Sequence, residues 1–322
     1  MRPHRRALSA ALACVLVLPA VVVASPALAE TFAGTYAPVA EQVADGIWVV
    51  RGADAEIRFD NGGAIANSVF IATDSGTVLV DPGPSLAYGK ALATLARQVT
   101  GKPVVRVYLT HLHPDHGLGA AAFAPAIVHA LPATRHDIER DGAGFSDAFY
   151  RMLADWMVGT GVVVPQGDVI EGAAEIGGRR LQLFAMAGHS HGDLVILDER
   201  TGTLIAGDLV FHDRAPSTPH ADIAGWLAAL DRLDALPKRI VVPGHGPVDT
   251  GGTSIAQTRG WLAWLRASLR QAVVEGKDMN EAGAMPIPAQ FAAMKVARYE
   301  LQRSVSHFYP ALEAEVFPEI GR

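Results

Sequence analysis

Six consecutive residues, His111-Leu112-His113-Pro114-Asp115-His116, constrain this chain more than any other stretch of it. They follow directly on an apolar run at 104–109 that reads as a strand, so the cluster stands where a strand gives way to a loop. His111 and His113, two apart in extended backbone, project to the same side and can share one metal ion, leaving Asp115 and His116 for a second. Pro114 fixes its own φ and restrains His113, while Gly117 lets the chain turn away at once. Whatever fold this chain adopts must hold a short, stiff loop at a strand end. The plainer alternative, polar residues capping 117–123 in solvent, is disfavoured because so dense a match is rare by chance.

Three later residues share one local setting, each after a strand-like run and a glycine: His189 in Ala187-Gly188-His189-Ser190, Asp208 in Ala206-Gly207-Asp208, and His245 in Pro243-Gly244-His245-Gly246. Alone, each reads better as a turn residue. Together and in order, they read as further ligands. The single cysteine, Cys14, lies in the N-terminal leader, so a metal would be held by nitrogen and oxygen alone.

In that leader, Arg2, Arg5 and Arg6 precede an apolar run at 7–23, and Ala27-Leu28-Ala29 supplies the small-x-small pattern of a signal peptide cleaved after residue 29. Pro19 interrupts the run, which together with the cleavage pattern argues against a membrane anchor. The lipoprotein-like match before Cys14 comes too early in the run. The expectation is an exported protein, periplasmic or secreted, with 30–322 as one domain, because no Pro/Gly/Ser-rich linker or charge run divides it. Half of the 322 residues are hydrophobic, enough for a substantial core. The formal net charge is −6, and the leader takes three arginines and no acid with it, leaving −9. Such a surface repels nucleic acid and anionic membrane, so the expected partner is a small-molecule substrate.

Strand-like runs at 47–50, 67–72, 77–80, 104–109, 127–130, 181–186, 194–197, 203–206 and 240–242 alternate with helical apolar spacing at 86–99, 223–236 and 255–274. That mixture argues α/β layers. A last helical stretch, 289–315 within a segment of about 287–318, is expected to pack across the sheet or close over the site.

With His-x-His-x-Asp-His followed in order by His189, Asp208 and His245, the chain resembles the metallo-β-lactamase fold superfamily over nearly all of 30–322. The resemblance implies a four-layer αββα sandwich of two similar βα halves with the metals along one edge. It implies one Zn2+ on His111, His113 and His189, a second on Asp115, His116 and His245, and Asp208 bridging both. Asp81, in Val80-Asp81-Pro82-Gly83, is similar to the family's aspartate that orients a ligand from the end of an early strand, although an Asp-Pro-Gly turn reads equally well. The stretches at 188–194, 206–211 and 215–222 are most similar to exported zinc metallohydrolases of the quinoprotein relay and sulfur-oxidation-associated (SoxH-like) type. That likeness implies a quinoprotein dehydrogenase as a candidate partner.

Two zinc ions per chain would turn a shared water into metal-bridging hydroxide near neutral pH, with Asp115 as the catalytic residue that holds its proton. The expected reaction is hydrolysis of an ester, thioester, lactone or amide bond. One alternative is a mono-iron persulfide dioxygenase-like oxidoreductase on His111, His113, His189 and Asp208, which has no use for Asp115, His116 and His245 as ligands. Di-iron flavoprotein relatives favour a glutamate, absent between His111 and His116. Another alternative is a metal-dependent periplasmic accessory or binding protein, and β-lactamase activity ranks below ester or thioester hydrolysis because aspartate fills the bridging position. His191 reads equally as a residue steadying a ligand or as a plain loop residue, and His212 and His220 read as solvated loop histidines. His307 reads as facing the site from the last helix, and Tyr309 as core packing.

Overall fold

A computed structural model of the chain describes residues 34–318, so the leader and its cleavage site at residue 29 lie outside the described residues. The first sheet begins as an antiparallel meander of β1 (Ala40–Ala44), β2 (Ile47–Val50), β3 (Ser68–Ala72) and β4 (Thr77–Val80). Helix α1 (Leu86–Thr100) then crosses to β5 (Val104–Tyr108), parallel to β4. It starts where the Ser85 hydroxyl accepts from the Tyr88 N–H and stops at Gly101, whose φ of 74° suits glycine. The single turn α2 (Pro114–Gly117) follows β5, and β6 (Val128–Ala130), α3 (Pro132–Leu153) and β7 (Gly167–Asp168) complete seven strands in the order β1 to β7.

The second sheet runs through β8 (Gly172–Ile176), β9 (Arg179–Met186), β10 (Asp193–Asp198) and β11 (Thr203–Phe211) as antiparallel neighbours. Helix α4 (Ile223–Asp234) carries the chain to β12 (Ile240–His245), parallel to β11 at the sheet edge. Four helices follow: α5 (Ser254–Val274), α6 (Met279–Ala284), α7 (Ala289–Ala292) and α8 (Ala297–Val316). Among the described residues no helix is long and apolar enough to cross a membrane.

Strand alternation sets the layers. Val69, Ile71 and Val80 of the first sheet pack against Leu183, Ile196 and Ile205 of the second, forming a core between the sheets. The outer face of the first sheet, through Phe70, Leu79 and Val107, packs on Tyr88 and Leu92 of α1. The outer face of the second, through Leu204 and Val210, packs on Trp226 and Leu230 of α4 and Trp261 and Leu265 of α5. Each such side chain contributes roughly 1.5–3 kcal/mol on burial, so layer packing rather than helix propensity holds the helices in place. The architecture is the expected αββα sandwich.

Several elements depart from the sequence reading, which lacks β1, β7, β8 and α6, and three further departures bear on the site. Helix α3 is absent from that reading, because the buried face of that helix is carried by Thr134, Asp137, Ile138, Gly142, Phe149 and Leu153, a weak apolar period. Strand β11 continues to Phe211 instead of ending at 206, since Gly207 at φ 52° bends the strand without terminating it and keeps Asp208 in the sheet. The last helical stretch is divided, with Val296 at φ 52° separating α7 from α8.

Candidate metal centre

All seven sequence-predicted residues converge at the end of the sandwich where β5, β9, β11 and β12 finish, and all seven are buried. Hydrogen bonds at the far side of four of the five rings decide which nitrogen faces inward. The Thr110 hydroxyl donates to Asp81 Oδ2 (2.7 Å), leaving a lone pair to accept from His111 Nδ1 (2.9 Å). His116 Nδ1 donates to the same carboxylate oxygen (2.8 Å), and His245 Nδ1 donates to the Ile65 carbonyl (2.9 Å). Carboxylates and carbonyls only accept, so on these three residues the proton sits on Nδ1 and the Nε2 lone pair points to the centre. His113 is turned around: its Nε2 meets His220 Nδ1 at 2.8 Å and its Nδ1 faces inward. His189 Nδ1 has no hydrogen-bond partner among the described residues, and its ring is held edge-on against Trp226 at 4.9 Å. Phe211 stacks on His245 with ring centroids 5.2 Å apart.

The inward atoms form two groups. His111 Nε2 and His189 Nε2 each lie 2.9 Å from His113 Nδ1, and 3.8 and 3.3 Å from Asp208 Oδ2. His116 Nε2 and His245 Nε2 are 3.2 Å apart and 3.7 and 3.4 Å from Asp115 Oδ2. Asp208 reaches the second group too, with Oδ1 3.1 Å from His116 Nε2 and Oδ2 3.4 Å from His245 Nε2.

This donor set fits metal ions. Lone pairs of several neutral imidazoles aimed at one point repel unless a cation stands there, and the Asp208 carboxylate is buried among those rings. Burial, reinforced by neighbouring histidines, holds His111, His113 and His189 well below the ordinary imidazole range, in the neutral form that ligates. At His116 burial acts the same way, but Asp208, Asp81 and Asp115 outweigh it and raise the pKa well above the ordinary value. Burial disfavours the charge on Asp208, yet His245, His116 and His189 keep it well below the usual carboxylate range. Three carboxylates around His116 thus call for positive charge at the centre. Imidazole and carboxylate without thiolate suit a pair of divalent ions.

The glycines before the later ligands have a steric purpose. A Cβ on Gly244 would fall 1.9 Å from Asp208 Oδ1, so the residue before His245 must be glycine for the carboxylate to sit where it does. Gly207 adopts φ 52° and packs against the Thr110 side chain, turning Asp208 inward from within β11.

Around the ligands, some expectations stand and others are corrected. Asp81 does orient His116, and also fixes Thr110 through its backbone N–H (2.8 Å). His220, read as a solvated loop residue, instead meets His113; burial and then nearby His307 lower its pKa. His191 is exposed and pairs with Asp137 at 3.0 Å, so it steadies no ligand. His212 is a partly buried loop residue donating to the Pro247 carbonyl. His307 is exposed on α8 against Phe308 and does not line the site, whereas Tyr309 is core, as expected.

Two positioning residues escaped the sequence reading. Asn67 Nδ2 donates to the carbonyls of Pro243 and Gly246, 2.8 and 2.9 Å, binding the first half to the His245 loop. Asp193, buried and thereby pushed up to about 7, accepts from the backbone of His189 and Ser190 and shapes the His189 turn. Asn67 has no local signal, since its partners lie far along the chain; Asp193 sits in a Gly-Asp pair that marks a turn.

A cavity of about 280 Å3 opens over Asp115, Asp208 and His245. One wall is apolar, from Ile57 and from Phe145, Phe149 and Met152 of α3. The other is polar, from Arg214 and Ser217 after β11 and from Tyr299, Glu300 and Arg303 of α8, which therefore does reach over the site.

A sequence model of the metallo-beta-lactamase superfamily matches residues 61–245. The human acyl-coenzyme A thioesterase MBLAC2 is 26% identical over 220 residues, 62% of this chain and 72% of that protein. A linear primary-alkylsulfatase from a Pseudomonas strain is 22% identical over 61% of this chain, spanning only 45% of its own length. Among solved structures, a metallo-beta-lactamase from Pontibacter korlensis superposes with a TM-score of 0.57 at 21% identity, covering 70% of this chain and 99% of that one. One from Erythrobacter litoralis gives 0.55 at 19%, over 70% and 95%. At such identities the structures speak to the shared fold.

Proposed function

The chain belongs to the metallo-beta-lactamase superfamily, and on that premise we propose that it is an exported hydrolase holding two zinc ions and cleaving an ester, thioester, lactone or amide bond in a small molecule. The observation that carries this reading is the second group of donors: Asp115, His116 and His245 are as buried as His111, His113 and His189, and Asp208 touches both sets. A mono-iron persulfide oxygenase would leave that second group without a purpose.

When bound, such a pair of ions supplies a water acidified enough to react near neutral pH and a Lewis acid for the carbonyl oxygen. The chain's own residues do the rest. Asp115, at the cavity floor, is the catalytic residue that orients the attacking water and takes its proton. Asp81, Thr110 and His220 hold the rings in the tautomers that keep their lone pairs inward. Phe145, Phe149 and Met152 shield one side of the cavity from bulk water.

Likeness to an acyl-coenzyme A thioesterase supports placing thioesters and esters first. β-Lactam hydrolysis ranks below them because aspartate occupies the bridging position. Export rests on the basic, apolar leader ending at Ala29, and a quinoprotein dehydrogenase companion belongs to the same proposal.

The test is metal content of protein purified without added metal, followed by turnover on a thioester, a lactone and a chromogenic β-lactam. Two zinc ions with thioester or ester turnover are expected. Stoichiometric iron with oxygen uptake on a persulfide would overturn the proposal.

A further inference from the structure

Arg214 is a buried cation short of partners. Its side chain is 2% exposed yet lines the cavity beside the metal centre. A guanidinium carries five N–H donors. Among the described residues, Nη1 and Nη2 reach only the carbonyls of Ala215 and Ala55, at 3.4 and 3.3 Å, and Nε has no hydrogen-bond partner. The nearest carboxylate oxygen, Glu300 Oε1, is 3.6 Å away, beyond hydrogen-bond reach, and Glu300 is engaged by Arg303 at 3.1 Å. One acid, Glu300, stands between the two guanidiniums, and Glu56, which also lines the cavity, has its own cation in Arg58 at 3.6 Å. Leaving buried donors unmade is costly, so a group that completes them has a place waiting.

The wall is also held at a fixed distance from the reacting end of the cavity. The Arg214 guanidinium lies over the Phe211 ring at 5.7 Å, and Phe211 stacks on His245. Backbone bonds from Ala215 N to Lys295 O (3.0 Å) and from Lys295 N to Asp213 O (2.8 Å) tie the Arg214 loop to the segment leading into α8. Thr218 and Ser304 hydroxyls meet at 2.7 Å, and Arg303 donates to Ser217 at 3.0 Å. Helix α8, with Arg303, lies beyond the family-matched residues, whereas Arg214 and Ser217 lie within them.

We propose that Arg214 and Arg303 form an oxyanion subsite that selects substrates carrying a carboxylate or sulfate, with the apolar part of the same molecule seated opposite on Phe145, Phe149 and Met152. The reaction such a substrate undergoes rests on the hydrolase reading above, whereas its capture does not.

The experiment reads binding without turnover: calorimetric titration of the purified, metal-containing chain with hexanoate, hexyl sulfate and, as the neutral control, hexanol. At least one anion is expected to bind thirtyfold or more tighter than hexanol, and the tighter of the two identifies carboxylate or sulfate as the natural group. Arg214→Met is expected to cut that preference at least tenfold with bound metal unchanged, and Arg214→Lys, which keeps charge but not the fork, to cut it less. An anion preference that survives Arg214→Met at full metal content, or no preference in the wild-type chain, overturns the proposal. Should Arg214→Met fail to fold, the half-exposed Arg303→Met carries the same readout: a severalfold loss of preference supports the subsite and an unchanged preference sinks it. A chain that captures anions through Arg214 yet cleaves no ester or thioester keeps the subsite and loses the hydrolase reading.

Discussion

Nδ1 of His220 lies 2.8 Å from Nε2 of His113, so the one imidazole that turns its Nδ1 to the metal centre has its far nitrogen held by a residue 107 positions later. A partner of this kind fixes both ring orientation and tautomer, and its loss typically costs 10–100-fold in metal affinity. His220→Ala should weaken metal retention by roughly that factor, and His220→Gln, which keeps an acceptor near the same place, should recover part of it. Competition against a chromophoric chelator measures both, and wild-type affinity in the alanine variant would remove His220 from the centre.

Asp81 gathers three donors on one carboxylate: the backbone and hydroxyl of Thr110 and the Nδ1 of His116. Its φ of 56° lies in the left-handed region, which asparagine tolerates, so Asp81→Asn keeps the backbone while replacing one acceptor oxygen by a donor. A hydrogen bond to a charged group is worth about 1.5–3 kcal/mol, and the amide would confront either Thr110 or His116 with the wrong polarity. Loss of metal from the second group is expected, giving about one ion per chain by elemental analysis. Two ions at unchanged affinity would contradict the orienting role.

Gly244→Ala tests whether the glycine before His245 is there for the metal centre or for the turn. The new methyl would fall 1.9 Å from Asp208 Oδ1, displacing the one carboxylate that touches both groups. Metal content should collapse while the far-ultraviolet dichroism of the sandwich persists. Gly144→Ala, on α3 with open space around it, is the matched control and should be neutral or slightly stabilising. Equal metal content in both variants would contradict the steric account.

The seven converging residues could be read from the sequence because their signal is local: a six-residue cluster after a strand, then three Gly-His or Gly-Asp pairs after strands. The same holds for the sheets, whose β-branched runs declare themselves by composition, as at β2 and β4. What stayed hidden is what long-range contact creates. His220 sits in a polar loop and Asn67 opens a strand; nothing beside either residue announces a partner more than a hundred positions away. Arg214 reads as one more surface cation until burial beside Phe211 and α8 makes it otherwise. Helix α3 escaped because a face carrying Thr134, Asp137 and Gly142 lacks the apolar period that declares a helix, although that face is buried.

Tyr36 gives the fold a measurable alkaline limit. Its hydroxyl donates to the Gly62 carbonyl at 2.6 Å and accepts from Ser85 at 3.1 Å, and its ring packs on Tyr88 and Trp156 beneath the α3 wall of the cavity. Burial pushes its pKa from an ordinary 10 up to about 12, against a smaller lowering by the Ser85 hydroxyl. An acid whose folded pKa is raised stabilises the fold fully below its unfolded pKa, and that contribution is lost as pH climbs to the folded value. Stability should therefore fall between about pH 10 and 12, and Tyr36→Phe, which cannot ionise, should flatten that part of the fall while lowering stability at neutral pH by about 1 kcal/mol for the lost Gly62 bond. Denaturant midpoints across this range, with tyrosinate absorbance followed in parallel, check it; an identical alkaline slope in both proteins would show that Tyr36 ionises at the same pH folded and unfolded.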